Sequence, residues 1–175
     1  MEGPPTAPAI ETHGLSKRFG PIRAIERLSL RVERGEAVTV FGPNGAGKTT
    51  LIRLLTLSLR ATSGRFRIDG LEPDAEDLRV RQRIGVISHQ SFLSDDLSAR
   101  ENLEFFARLY GVPEPGRRAG ELLDDVGLTL RADDPVRTFS RGMQQRVSLA
   151  RALVHRPSIV FLDEPFTGLD PHAAR

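Results

Sequence analysis

The sequence predicts an α/β protein, and three observations carry that prediction. A Gly-rich loop, residues 42–49, lies between a strand-like run and a helix-like one. A second apolar run, residues 159–162, follows Pro157 and ends on two acids, as a buried strand does. Between them, from Ser98 onward, apolar residues recur with the helical period rather than by alternation.

Taken in order, residues 1–9 are rich in Pro and small residues and read as a flexible tail. Residues 10–15, 28–32 and 37–41 read as strands. The turn Glu33-Arg34-Gly35-Glu36 joins the last two and predicts an antiparallel pair. A helix is expected over 48–57 and strands over 65–68 and 84–87, the first closed by Asp69-Gly70. Ser98 and Glu101 form an S-x-x-E capping box; Leu103, Phe106 and Tyr110 share a face; Gly111 stops the helix. A second helix spans 117–126 and ends at Gly127. A third starts after Ser140, with Met143, Val147, Ala150 and Val154 as its apolar face. The order is therefore a β-rich start, an α/β core, a helical insertion over about 91–155, and a return to the core.

Composition narrows the classes. The 175 residues suffice for one domain with its own core. A net charge of +2, not gathered into a block, gives no reason to expect a nucleic-acid partner. Without cysteine there is no disulfide framework and no thiolate metal site. The N-terminus lacks the basic start and apolar run of a signal peptide. The most apolar stretch, 51–59, is broken by Arg53, far short of the roughly 20 apolar residues that span a bilayer. A membrane role would need another chain to cross it. Of 25 basic residues only Lys17 and Lys48 are lysine, so a surviving lysine marks a position where its chemistry is wanted.

Gly42-Pro43-Asn44-Gly45-Ala46-Gly47-Lys48-Thr49 fits G-x-x-x-x-G-K-[ST] in the strand-to-helix context that motif requires. Glycines let backbone N–H groups converge on phosphate oxygens, and the helix N-terminus adds its positive end. Lys48 suits the β- and γ-phosphates, and the Thr49 hydroxyl suits Mg²⁺. Asp163 and Glu164 end the apolar run, where adjacent carboxylates need a cation or polar partner. Asp163 suits the metal shell and Glu164 the polarising of an attacking water. The base-reading N-K-x-D motif of GTPases is excluded, because Ser16 and Gly47 precede the two lysines.

The segment Thr138-Phe139-Ser140-Arg141-Gly142-Met143-Gln144-Gln145-Arg146, followed by a helix and Asp163-Glu164, resembles the signature of the ABC ATPase family. The resemblance runs over residues 10–175. It implies a P-loop NTPase fold: a RecA-like core with an N-terminal antiparallel β flank and a helical insertion. It implies ATP and Mg²⁺ as cofactors. Gln90 falls on the Q-loop, as a metal ligand and catalytic residue beside Glu164; Asp170 falls on the D-loop; Phe19 takes the place of the adenine-stacking aromatic. Thr50 joins the loop's phosphate-binding set, and Ser140 and Gly142 are implied to touch nucleotide from the signature.

The usual L-S-G-G-Q reads here Phe139-Ser140-Arg141-Gly142-Met143. The family's switch histidine should follow the next core strand, yet the sequence stops at Arg175 and His172 lies too near Asp170 to be it. The resemblance thus implies a domain truncated at its C-terminus. Residues 90 to 140 contain Gly and Pro, so the long coiled coil of chromosome-type members does not fit. The transporter class remains, with separate transmembrane permease subunits and a second ATP-binding subunit, a homodimer held at the inner face of the cell membrane. Ser88-His89-Gln90-Ser91-Phe92-Leu93, leading into Glu101-Asn102-Leu103, is similar to the bacterial haem-exporter ATPase of cytochrome c maturation, and so is the 139–146 stretch. ATPases of drug or polysaccharide exporters, and non-transport regulatory ABC ATPases, are the alternatives. His89 is a loop residue in this reading, not a haem ligand.

Overall fold

The computed structural model describes residues 7–73, 77–88 and 91–163. The chain divides into two compact units, residues 1–81 and 82–175.

In the first unit, β1 (Ile10–Phe19), β2 (Ile22–Val32) and β3 (Ser63–Ile68) form an antiparallel sheet in the order β2-β1-β3. A two-residue turn, Gly20-Pro21, sets Phe19 opposite Ile22 and so fixes the hairpin register. The register slips between Thr12 and Leu15. Thr12 is buried beside that slip, and its Oγ1 donates to the Leu28 carbonyl (3.1 Å) and accepts from Leu30 N–H (2.8 Å). The irregular backbone is thereby satisfied inside the protein. α1 (Lys48–Leu55) buries Leu51, Leu54 and Leu55. The chain is tied down from Ala7, whose carbonyl accepts from Arg34 Nε (3.1 Å), and Asp69 N–H bonds the Ala9 carbonyl (2.9 Å).

One expectation is corrected. Residues 28–32 pair with β1, not with 37–41, and no strand among the described residues includes 37–41. Val38, Val40 and Phe41 are exposed. An apolar run gains from strand formation only where a partner edge and a covering layer receive it. β1 reaches β2 through the shorter turn and therefore the smaller closure entropy.

In the second unit, β4 (Ile84–Ser88) and β5 (Ile159–Asp163) pair in parallel, from Ile84 opposite Ile159 to Ser88 opposite Asp163. A short helix, α2 (Leu78–Arg81), precedes them in the chain and carries no helical period in the sequence that would announce it. Three helices, α3 (Ala99–Leu109), α4 (Pro115–Asp125) and α5 (Arg141–Leu153), share a core that includes Leu103, Ala107, Leu123, Val147 and Ala150. The capping box forms as expected: Ser98 Oγ accepts from Glu101 N–H (3.1 Å), and Glu101 Oε2 accepts from Ser98 N–H (2.8 Å).

The end of α5 sits hard against β4. A Cβ at Gly85 would lie 2.6 Å from the Ala152 carbonyl oxygen, so glycine is the residue that permits this approach. His155, just beyond α5, donates from Nε2 to the Ile84 carbonyl (3.0 Å) and stacks on Tyr110, centroids 3.9 Å apart. Burial holds the His155 imidazole below its ordinary pKa.

Candidate functional site

The 42–49 loop opens α1 in the first unit. Ala46 N–H bonds the Pro43 carbonyl (3.1 Å), and Leu51 N–H bonds the Gly47 carbonyl (2.8 Å) to begin the helix. Gly47 is the N-cap in the left-handed region (φ 89°), and a Cβ there would stand 2.4 Å from the Ala24 carbonyl oxygen in β2. Both facts exclude a side chain at this corner. Lys48 Nζ donates to the carbonyls of Gly42 (2.8 Å) and Pro43 (2.9 Å), so the ammonium lies across its own loop. Residues 42–46 are exposed, Thr49 and Thr50 are half-buried in the first turn, and that turn carries no acid. The positive end of α1 is therefore not neutralised by a carboxylate of its own first turn. A glycine loop, a helix start with no acid in its first turn and an ammonium lying across the loop fit a nucleotide's phosphates.

Phe19 ends β1 with 47% of its surface exposed. Lys17 Nζ stands 5.0 Å from its ring centroid and donates to the Arg60 carbonyl (2.8 Å). Both lysines of the chain thus sit on residues the sequence singles out, one in the loop and one over the aromatic.

In the second unit Asp163 ends β5 beside the end of β4, at the carboxyl edge of a parallel pair where α/β sheets place ligands. β5 is less buried than its composition predicts: Val160 and Leu162 are exposed, and Ile159, Phe161 and Asp163 are half-buried. Gln90, Glu164 and Asp170, with His89 and His172, lie outside the described residues.

Ser140 is the exposed N-cap of α5, its Oγ accepting from Met143 N–H (3.3 Å). A Cβ at Gly142 would meet no atom within 4 Å, so this helix start is open. The departures from the usual signature have structural roles. Phe139 is buried in the helical core under the Arg131 guanidinium (5.4 Å), and Met143 packs against the same core, on the apolar face that the helical period predicts. Gln144 is a residue that sequence reasoning passes over; its Nε2 donates to the Val136 carbonyl (3.3 Å) and braces the turn before Ser140. A glutamine in a polar helix start carries no sequence signal for that role.

A glycine loop opening a helix, with its lysine folded across it in an α/β chain, defines a P-loop nucleotide-binding protein. This chain belongs to the ABC transporter family, whose model matches residues 25–167. It is 44% identical over 165 residues to the daunorubicin resistance ATP-binding protein DrrA3 of Streptomyces coeruleorubidus, covering 93% of this chain and 52% of that one. It is 38% identical over 170 residues to the Nod factor export ATP-binding protein I of Ralstonia nicotianae, covering 96% and 53%. The chain spans about half the length of these curated relatives. Its fold matches cbiO1 of Clostridium perfringens, part of the ABC transporter complex cbiONQ, with a TM-score of 0.83 and 27% identity over 95% of this chain and 69% of that one. Proteins of this family hydrolyse ATP. These relatives are named for daunorubicin resistance, for Nod factor export and for the cbiONQ transporter complex, and none of the three is named as a haem exporter. No helix among the described residues is long and apolar enough to cross a membrane.

Proposed function

We propose that this chain binds ATP with Mg²⁺ at the 42–50 loop and hydrolyses it to drive transport through separate transmembrane subunits. The observation that carries the proposal is the loop itself, with Gly47 pressed against β2 and Lys48 held over Gly42 and Pro43. The N–H groups from Gly45 to Thr50 and the Lys48 ammonium take the phosphate oxygens. Phe19 stacks on the base. Thr49, Asp163 and Gln90 hold the metal, which when bound neutralises charge developing on the phosphates. Glu164 accepts the proton of the attacking water. Ser140, Gly142 and Asp170 serve a nucleotide on a second ATP-binding subunit in a head-to-tail homodimer, and closing and opening of that dimer moves the membrane partner. The residues after Gln90 are the contact with that partner, which places the chain at the inner face of the cell membrane. Residues 10–175 act as one ATP-binding domain, with 91–155 its helical part.

For cargo, we favour export of an organic compound, the kind of task that the names of the DrrA3 and Nod factor relatives describe. Haem export rests only on the short stretches 88–93, 101–103 and 139–146. Calorimetry tests the core of the proposal. Lys48→Ala should weaken ATP binding by about 10- to 100-fold, the worth of charge-assisted hydrogen bonds; unchanged affinity refutes it. For cargo, deletion of the gene should sensitise cells to anthracyclines and leave holocytochrome c intact, and the reverse pattern restores the haem reading.

A further inference from the structure

Lys17 and Phe19 lie two positions apart in β1, so their side chains leave the same face of the strand. The Lys17 ammonium stands 5.0 Å from the centre of the Phe19 ring. Its place is held by the Arg60 carbonyl, which accepts from Nζ (2.8 Å). The segment carrying that carbonyl is itself laced to β1: Thr62 N–H donates to the Ser16 carbonyl (2.9 Å), and Thr62 Oγ1 accepts from Arg18 N–H (3.0 Å). Phe19 nonetheless keeps 47% of its surface exposed, and Ile22, opposite it across the hairpin turn, keeps 66%. Two exposed apolar side chains at one hairpin tip, with a cation held against one of them, form a surface that a planar ring can cover.

The same hairpin shapes the phosphate loop. Lys17 pairs across it with Ile25 and Arg18 with Arg23, so Ala24 is an extra residue in β2 between those pairs, a β-bulge. Ala24 and Ile25 are the residues that a Cβ at Gly47 would strike, at 2.4 and 3.0 Å. The exposed ring and the loop are thus joined through a few residues of one hairpin. Lysine at position 17 is itself informative in a chain that uses arginine at all but two of its 25 basic positions. An ammonium is a compact point charge with three N–H groups, so one of them can reach a carbonyl while the charge faces a ring. The faces of an aromatic ring are negative. A cation against one face draws density toward it and leaves the open face less repulsive to the π cloud of a purine.

We infer that Lys17 is a positioning residue for the base: its ammonium fixes the Phe19 ring and draws density from the open face, so that affinity for the base, and not for the phosphates, depends on it. This rests on Phe19 stacking on the base of ATP, as proposed above.

The test uses the gene product as the cell makes it. Calorimetry compares ADP with inorganic pyrophosphate, which has the phosphates and no base, and neither is hydrolysed at the site during the titration. Lys17→Gln keeps an N–H donor for the Arg60 carbonyl and removes the charge. It should weaken ADP by about two- to fivefold, the worth of a cation–π contact at an exposed site, and leave pyrophosphate unchanged. Phe19→Ala should weaken ADP by about 5- to 100-fold, the worth of stacking on one base, again with pyrophosphate unchanged. With Phe19 already replaced by alanine, Lys17→Gln should cost nothing more, because the ring through which it acts is gone. Parallel loss of ADP and pyrophosphate, or a full further loss in the Phe19→Ala background, means that Lys17 acts on the phosphates by charge or supports the fold, and overturns the inference. Wild-type ADP affinity in Lys17→Gln overturns it too, and leaves the base reading standing if Phe19→Ala is weakened. If Lys17→Gln does not fold, Lys17→Met should give the same split between ADP and pyrophosphate. If Phe19→Ala binds ADP as the wild type does, the base reading itself fails and this inference falls with it.

Discussion

Gly47→Ala should damage the phosphate loop far more than Gly45→Ala, although both glycines sit in one motif at nearly the same φ. Gly45 has φ 83° and Gly47 φ 89°, so either alanine suffers left-handed strain of about 1–2 kcal/mol. The surroundings separate them. Around Gly45 a Cβ meets nothing within 4 Å, whereas at Gly47 it would stand 2.4 Å from the Ala24 carbonyl oxygen and 3.0 Å from Ile25 Cδ1. The nearer atom is backbone of a paired strand and cannot swing aside. Overpacking of this kind adds about 1–3 kcal/mol, so Gly47→Ala should cost about 2–5 kcal/mol in all. If the loop escapes by changing shape, that energy appears as lost affinity. At about 1.4 kcal/mol per tenfold, Gly45→Ala weakens ATP by no more than about 30-fold, while Gly47→Ala reaches from that value to about 3,000-fold. If the loop keeps its shape instead, the loss appears as a lower melting temperature. Calorimetric titration of Mg-ATP together with a thermal melt reads both channels. Equal behaviour of the two variants in both measurements would refute the argument that contact with β2 shapes the loop.

Three further outcomes follow from described contacts or from the proposed chemistry. Ser98→Ala removes the α3 cap and should cost about 1 kcal/mol, seen in a urea melt; an unchanged midpoint means the capping box contributes nothing. His155→Phe keeps a ring against Tyr110 and removes a group whose pKa is depressed by burial. Folded His155 resists a proton that the unfolded chain accepts below about pH 6.5, so its contribution is full above that pH and is lost as pH falls toward the folded value. The wild type should therefore lose more melting temperature than the variant between about pH 7 and about pH 5, and parallel curves would show that His155 titrates normally. Glu164→Gln should retain ATP binding and release phosphate about 10²- to 10⁴-fold more slowly; a wild-type rate would remove Glu164 from the role of base.

The amino-acid sequence by itself determines the chemistry that short stretches carry. The G-x-x-x-x-G-K-T loop, the Ser98–Glu101 box and the Ser140 cap are settled within a few residues by backbone sterics and local hydrogen bonds, so the sequence specifies them directly. The three amphipathic helices follow from the 3.6-residue period, which also puts Met143 on the packed face. Sheet partners are another matter. The sequence points the 28–32 run forward to 37–41, whereas it pairs back with β1, because strand pairing depends on turn length and on which layer covers the apolar side, and neither is local. The tightness of Gly47 also lies beyond the motif, since it comes from Ala24 on a strand more than twenty residues earlier. The same holds for Arg151. It is one arginine among 23, on a helix rich in them, and nothing in its neighbours marks it as buried. Only the folding of β4, the 91–94 segment and α3 around α5 surrounds it with a carbonyl and two rings, because a side chain's environment is made by contacts far apart in the chain.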